Sequence, residues 1–230
     1  MKRSKRYREA EKAVEKEKQY LLEKAVELLK SLPQAKFDET VEISVKLTAD
    51  PKRGDQVVRG SARMPKGTGK TKRVVVFCEP EKEAEAKEAG ADFAGGKELI
   101  DKVSSGWLEF DYCISTPSMM RLVSRLGRIL GPRGLMPSPK TGSVTDNLAF
   151  AVKEAKGGKI DFRMDKTGCV NVGVAKLSFP SADIVENANA FLQALVAAKP
   201  AAVKGKLIKS VSISTTMSPG LKVRWEESAG

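Results

Sequence analysis

Three parts of this 230-residue sequence carry residue types that could do chemistry. The first is Gly67-Thr68-Gly69-Lys70-Thr71, which imitates the end of a phosphate-binding loop, where backbone amides cradle phosphates and a lysine reaches the terminal ones. The full motif needs a glycine five residues before Gly69, and Met64 stands there. Such a loop also follows a strand and opens a helix, whereas this pentad precedes the apolar run Val74–Phe77. A hinge loop is therefore the better account, with a P-loop nucleotide-binding protein as the alternative. The second part is the run Leu126–Gly142, in which four glycines and three prolines fix a loop path and allow close backbone approach. Between Tyr112 and Thr145 it carries five Lys/Arg and no acid, which suits phosphate contacts, although a structural loop with solvated cations has the same composition. The third part is the cysteines, Cys78, Cys113 and Cys169, which lie far apart with no CxxC pair. They fit neither a zinc site nor a disulfide framework and are expected as buried core thiols in a reducing compartment.

The sequence contains no histidine, so a Ser-His or Cys-His nucleophile is excluded. Neither a cofactor nor a metal is implied. With 41 Lys plus Arg against 29 acids the net charge is +12, which favours a polyanionic partner because each neutralised phosphate releases a counterion. No apolar run is long enough to span a bilayer. The basic start, Lys2 to Arg8, is followed by Glu9, Glu11 and Glu15 rather than by an apolar segment, so neither a secretory signal nor a transit peptide is expected.

The elements that would position these residues follow from periodicity. Residues 5 to about 31 carry apolar residues near helical spacing and predict one helix, stopped by Pro33. Val41, Ile43, Val45 and Leu47 alternate with polar residues and predict a strand with one buried face. Residues 63–72 have the composition of a loop. From Val74 the texture becomes β-α-β-α: the apolar run 74–77, a helix near 81–89, and pieces at Ala91–Phe93, Lys97–Val103, Tyr112–Ser115 and Ser118–Leu126. This rhythm predicts a small parallel sheet covered by helices. Alternation returns at Lys159–Met164 and Cys169–Val174, and a helix follows to about Ala198, capped by Ser181 or Asp183 and stopped by Pro200. Strands near Leu207–Thr215 and Leu221–Trp225 close the chain. The economical arrangement is a domain built from both chain ends with a second inserted in it. Charge agrees: residues 79–101 carry eight acids against three lysines, whereas Asn187–Trp225 has six Lys/Arg and no acid. Val211 and Ile213 alternate with Ser210, Ser212 and Ser214, giving one apolar strand face and one row of hydroxyls able to bond 2′-OH groups. Phe37, at a strand entrance, is either a core residue or a stacking platform.

Run 126–142 resembles the signature of a family, that of the first protein of the large ribosomal subunit, bacterial-type ribosomal protein L-one. The likeness extends over essentially the whole chain, through Lys36-Phe37-Asp38-Glu39-Thr40-Val41-Glu42, Val58-Arg59-Gly60-Ser61, Lys66-Gly67-Thr68-Gly69-Lys70, Ala89-Gly90-Ala91-Asp92, Thr116-Pro117-Ser118-Met119-Met120, Phe162-Arg163-Met164-Asp165-Lys166-Thr167-Gly168 and Ser214-Thr215-Thr216-Met217.

The resemblance implies an α/β protein: a discontinuous α+β domain with a split β-α-β sheet (1–67 and 159–230) and an inserted Rossmann-like, three-layer α/β/α domain (68–158). It implies no catalysis. It implies binding to the mobile rRNA stalk beside the tRNA exit site, help in releasing deacylated exit-site tRNA, and repression of the protein's own messenger RNA. It also implies a free monomer and a place in the ribosome; the compact start at Met1 favours the bacterial cytoplasm over an organelle. Carried over, the rRNA surface falls on Lys36, Phe37, Thr40, Arg163, Asp165, Lys166, Ser210, Thr216, Met217 and Ser218. The signature loop of the inserted domain falls on Gly131, Pro132, Arg133, Gly134, Leu135, Met136, Pro137, Pro139 and Lys140. Two positions depart from the family pattern: Ser218 stands where glycine is usual, and Ser138 where asparagine is usual. Because Pro219 follows, extended geometry is expected at Ser218, with its hydroxyl free for RNA.

Overall fold

A computed structural model describes residues 3–15 and 17–225; the side chain of Lys140 and the position of Lys2 lie outside the described residues. The chain forms two compact units, one from Met1–Gly69 with Ile160–Gly230 and one from Lys70–Lys159. It is an α/β protein.

The first stretch forms α1 (Lys5–Ala13), β1 (Gln19–Tyr20) and α2 (Leu22–Ser31), not the single helix that its apolar spacing predicts. The break comes from sheet pairing. Gln19 and Tyr20 run parallel to Lys222 and Val223, and the Tyr20 carbonyl accepts from Arg224 N at 2.8 Å. Leu21, counted among the apolar positions, is 55% exposed at the start of α2. Local helix propensity yields here to a tertiary strand partner.

Next come β2 (Thr40–Leu47), β3 (Arg59–Arg63), β4 (Val74–Phe77), α3 (Pro80–Glu88), β5 (Phe93–Gly95), α4 (Lys97–Ser104) and β6 (Tyr112–Ser115). A helical run follows, α5 (Met120–Val123) and α6 (Gly127–Leu130) joined by one 3-10 turn, and then α7 (Leu148–Lys156). The chain finishes with β7 (Lys159–Arg163), β8 (Cys169–Lys176), α8 (Ser181–Ala197), β9 (Ile208–Thr215) and β10 (Leu221–Val223). Strand β3 and helix α7 are additions to the elements legible in the sequence. Neither Ser181 nor Asp183 caps α8: Pro180 holds the N-cap position without a side-chain bond, and Ser181 is already helical.

In the first unit a five-stranded sheet has the order β1-β10-β9-β2-β8. Its apolar face, including Val41, Ile43, Val45, Val172, Val211 and Ile213, shares one core with Val26 and Leu29 of α2 and Ile184, Phe191 and Leu195 of α8. Behind α8 lies the β3–β7 ribbon, whose Phe162 meets Phe191 edge-on at 5.7 Å. A Cβ at Gly60 would lie 2.9 Å from the Phe162 ring, so any other residue there would force that ring to shift. Asn187, fully buried on α8, accepts from Lys66 N and donates to the carbonyls of Gly67 and Val174. The Gly67–Gly69 segment is thereby anchored as a connector, with both glycines at positive φ, and it leads into strand β4 rather than a helix.

The second unit holds the parallel sheet β5-β4-β6. Strand β4 is buried on both faces. Val75 and Phe77 pack with α4 and with Val123, Leu126 and Leu130, while Val74 and Val76 pack with α3 and α7. Cys78 and Cys113 are buried, and burial pushes both thiols up. Cys169, expected in a core, is instead half-exposed on the open side of β8.

Each unit has its own apolar core, so the second is expected to be removable. A chain in which a short Gly/Ser linker joins Gly69 to Ile160 should melt cooperatively with its β-sheet circular dichroism retained, because closing a short loop costs little. Loss of cooperative melting would show that the first unit needs the second to fold.

Candidate nucleic-acid interface

The uncovered face of the five-stranded sheet is a grid of polar side chains. Along β2 it presents Thr40, Glu42, Ser44 and Lys46, all exposed or half-exposed, while the alternate residues are buried. Register sets their neighbours: Ser214 and Gly173 flank Glu42, Ser212 and Asn171 flank Ser44, and Ser210 and Cys169 flank Lys46. Lys222 of β10 lies beside Ser212, and Gln19 of β1 beside Lys222. From Thr40 to Lys46 the strand advances roughly 20 Å, and five strands span about as much in width. The alternation in β2 and β9 was readable from sequence, but Glu42, Ser44, Lys46, Asn171 and Lys222 join the face only through strand pairing.

At one end of the grid stands Glu39, 2% exposed. Its carboxylate accepts from Thr215 Oγ1 at 2.6 Å, Ala35 N at 2.8 Å, Met217 N at 3.0 Å and Arg6 at 3.1 Å. Burial works against the charge, but the bonds from Thr215, Ala35, Met217 and Arg6 outweigh it and hold the carboxyl below the usual range. This one group ties together α1, the segment before β2 and the turn after β9. Asp38 is fixed as well, accepting from Ser178 N and Oγ. Lys36 and Phe37 lie between Ala35, whose amide Glu39 holds, and the anchored Asp38, and both are exposed. Phe37 is 53% exposed, so it is no core residue, and Met217 is 50% exposed. Thr40 N donates to Thr216 Oγ1 at 3.1 Å, and Thr216 N returns a bond to the Thr40 carbonyl.

Ser218 lies in the same turn, and its backbone is free of positive φ. Its hydroxyl, expected to be free for a ligand, is committed inside the turn: it accepts from Thr215 N at 2.9 Å and donates to the Pro219 carbonyl.

At the far end, Asp165 turns the chain between β7 and β8. Its Oδ1 accepts from Thr167 N, Thr167 Oγ1 and Cys169 N. The Thr167 hydroxyl and the Cys169 amide hold this exposed carboxyl below its ordinary range. Asp165 therefore shapes the loop, while Arg163, Lys166 and Ser210 are exposed. Lys46 Nζ donates to the Thr167 carbonyl, pinning the turn to β2. The ten positions carried over from the family thus fall at the two ends of the sheet and on the adjoining ribbon strand β7.

The signature loop lies in the second unit. Gly131 accepts no side chain, since a Cβ would stand 2.5 Å from the Gly127 carbonyl, and Gly134 has φ +70. Leu135 and Met136 pack on the core beside α4, Pro137 is buried, and Pro132, Arg133 and Pro139 are exposed. Ser138 N donates to Ser143 Oγ at 2.8 Å. The Lys140 side chain lies outside the described residues.

Residues 28–219 match the model of the ribosomal protein L1p/L10e family. The chain belongs to that family. Three relatives, each named large ribosomal subunit protein uL1, agree over nearly the whole length. The protein of Protochlamydia amoebophila is 52% identical over 98% of this chain and 95% of its own. Those of Chlamydia pneumoniae and Solibacter usitatus are 51% and 50% identical, over 91% and 95% of this chain and 90% and 92% of their own. These relatives carry the name of ribosome components, not of enzymes. Among the described residues no group of side chains could hold a metal ion, and no helix is long and apolar enough to cross a membrane.

The Glu39 anchor has a testable consequence. Glu39→Gln should destabilise the protein by about 2 kcal/mol at pH 7, because a buried charge-assisted network loses its charge and gains a misplaced amide donor. The folded carboxyl lies below its ordinary 4.5, so its stabilisation is full above that value and is lost as pH falls through the folded pKa. Urea melts at pH 7 and at about pH 3 should therefore show the parent–variant gap narrowing in acid; a constant gap would remove the charge from the account.

Proposed function

We propose that this protein, a constituent of the large ribosomal subunit, holds the folded rRNA stalk near the tRNA exit site on the open sheet face of its first unit. The observation that carries this reading is the polar sheet face bounded by two exposed apolar side chains, Phe37 and Met217, fixed around a single buried carboxylate. Three features of the face fit RNA. The hydroxyls of Ser44, Ser212 and Ser214 exchange bonds with 2′-OH groups, which distinguish RNA from DNA. Phe37 stacks on a base or sugar, a contact available to any unpaired nucleotide. Lys36, Lys166 and Lys222 at the rim bind phosphates, while Glu42 in the middle accepts from a 2′-OH or an exocyclic amine but repels phosphate. The RNA backbone accordingly runs along the rim and its sugar edges face the serines. Held there, the protein assists release of deacylated tRNA from the exit site, and a stalk-like fold in its own messenger occupies the same face and represses translation.

Filter binding of a stalk RNA fragment tests this reading. Affinity should fall steeply with salt, by a slope of several in log K against log salt, because several phosphates are neutralised. Met217→Asp should weaken binding by tenfold or more, roughly 1.4 kcal/mol, since a carboxylate replaces an apolar contact against the backbone. Thr216→Val should weaken it as well, by freeing Thr40 N. Ser218→Gly should change affinity little, since its hydroxyl serves the turn; the loss of about 1 kcal/mol should appear in stability instead. Parent-like binding by Met217→Asp and Thr216→Val would move the RNA off this face.

A further inference from the structure

The second unit carries a feature that neither the sheet face nor the signature loop includes. Arg121, Arg125 and Arg128 are exposed along the helical run Met120–Leu130. Their spacing of four and then three residues places them on one side of a helix. Val123, Leu126 and Leu130 occupy the opposite side and are buried in the core beneath β4. Successive arginines are therefore separated by about 5–6 Å along the axis, and the row is roughly 11 Å long. Among the described residues none of the three guanidinium groups has an ion pair or a hydrogen bond, in contrast to Arg3, Arg6 and Arg73. No acid occurs between Tyr112 and Thr145. Helix α4 alongside offers a balanced pair: Lys97 and Asp101 line a shallow cleft with Leu122 and Arg125. Exposed Arg133 follows in the Gly131–Gly134 turn, where glycine keeps the surface low.

A row of unpaired arginines backed by a rigid core has no folding role that its own contacts reveal. Each guanidinium is a planar fork that matches two phosphate oxygens, and three in line meet successive phosphates. We infer that this ridge is a second, sequence-independent docking surface for the phosphate backbone of folded RNA, built into the second unit and independent of the sheet face. The commitment to RNA rather than an acidic protein segment rests on the proposed function, which already brings RNA to this chain. With two surfaces on one chain, engaging the first raises the effective concentration of RNA at the second, so a weak ridge suffices.

The test uses the full-length protein in four forms: parent, Thr216→Val with Met217→Asp, Arg121→Gln with Arg125→Gln and Arg128→Gln, and all five changes together. The probes are the stalk fragment, a 20-base-pair RNA duplex of unrelated sequence (about two turns of helix), and poly-glutamate. The arginines are exposed, so their replacement by glutamine should leave the melting temperature unchanged. On the unrelated duplex at low salt, the form changed only at 216 and 217 should bind with a clear salt slope. Adding the arginine changes should lower affinity at least tenfold and reduce that slope by about 2 to 3, close to three phosphates released. Equal affinity and slope with and without the arginines would overturn the inference. Arginine-dependent binding of poly-glutamate as tight as that of the duplex would also overturn it, in favour of an acidic protein partner. Failure of the sheet-face reading would appear separately, in the stalk-fragment binding of the form changed only at 216 and 217.

Discussion

The buried carboxylate of Glu39 is the contact on which the candidate interface depends. A charged group at 2% exposure survives only when its lone pairs are filled, and here four donors from three separate chain segments fill them. Arg6 comes from the N-terminal helix, Ala35 from the approach to β2, and Thr215 and Met217 from the turn after β9. Beside Glu39's bonds, Ala10, Val14 and Leu32 are the buried apolar residues by which the first two of these segments join the core. The carboxylate adds directional bonds to this packing, and charge-assisted bonds are strong in a dry site. Phe37 and Met217 can then stay exposed without collapsing onto the core.

The five-stranded sheet supplies the rigid floor between the two ends. Its strands alternate because one side packs on α2 and α8 and the other is left open. A slip of one residue in β2 would place Val41, Ile43 and Val45 on the open face and Glu42, Ser44 and Lys46 in the core, so burial on one side fixes the polar pattern on the other. The interface is in this sense a by-product of the core's register. The same division appears in the second unit, where Val123, Leu126 and Leu130 secure the helical run and thereby aim Arg121, Arg125 and Arg128 outward.

How much of this was legible beforehand differs from element to element. The strands at 40–47 and 208–215, the helix over 181–197 and the run at 74–77 follow from period and composition, because each has one dominant environment along its length. Residues 14–21 do not, because their helical spacing is overruled by a parallel bond partner more than two hundred residues away in Lys222 and Val223. Helix α7 was missed although Asn147 caps it and Gly157-Gly158 end it, because its nine residues are too few for the helical period to stand out beside the long glycine- and proline-rich loop before it. The cap of α8 was misplaced because a serine after a proline looks like an N-cap until the backbone shows Pro180 already there.

Sequence by itself determined that the net charge favours a polyanionic partner, that histidine chemistry is absent, that Met64 breaks the phosphate-loop imitation, and which strand faces are polar, since charge and period need no neighbours to be counted. Only the tertiary structure decided which of the candidate site residues are left exposed and which position others. The Asp165 carboxylate and the Ser218 hydroxyl are committed to bonds within their own turns, while Phe37 is left exposed, and Glu39, absent from the sequence-derived site, becomes its organiser. The physical reason is that a hydrogen bond or a buried charge is defined by its partner, and these partners are up to 178 residues away along the chain.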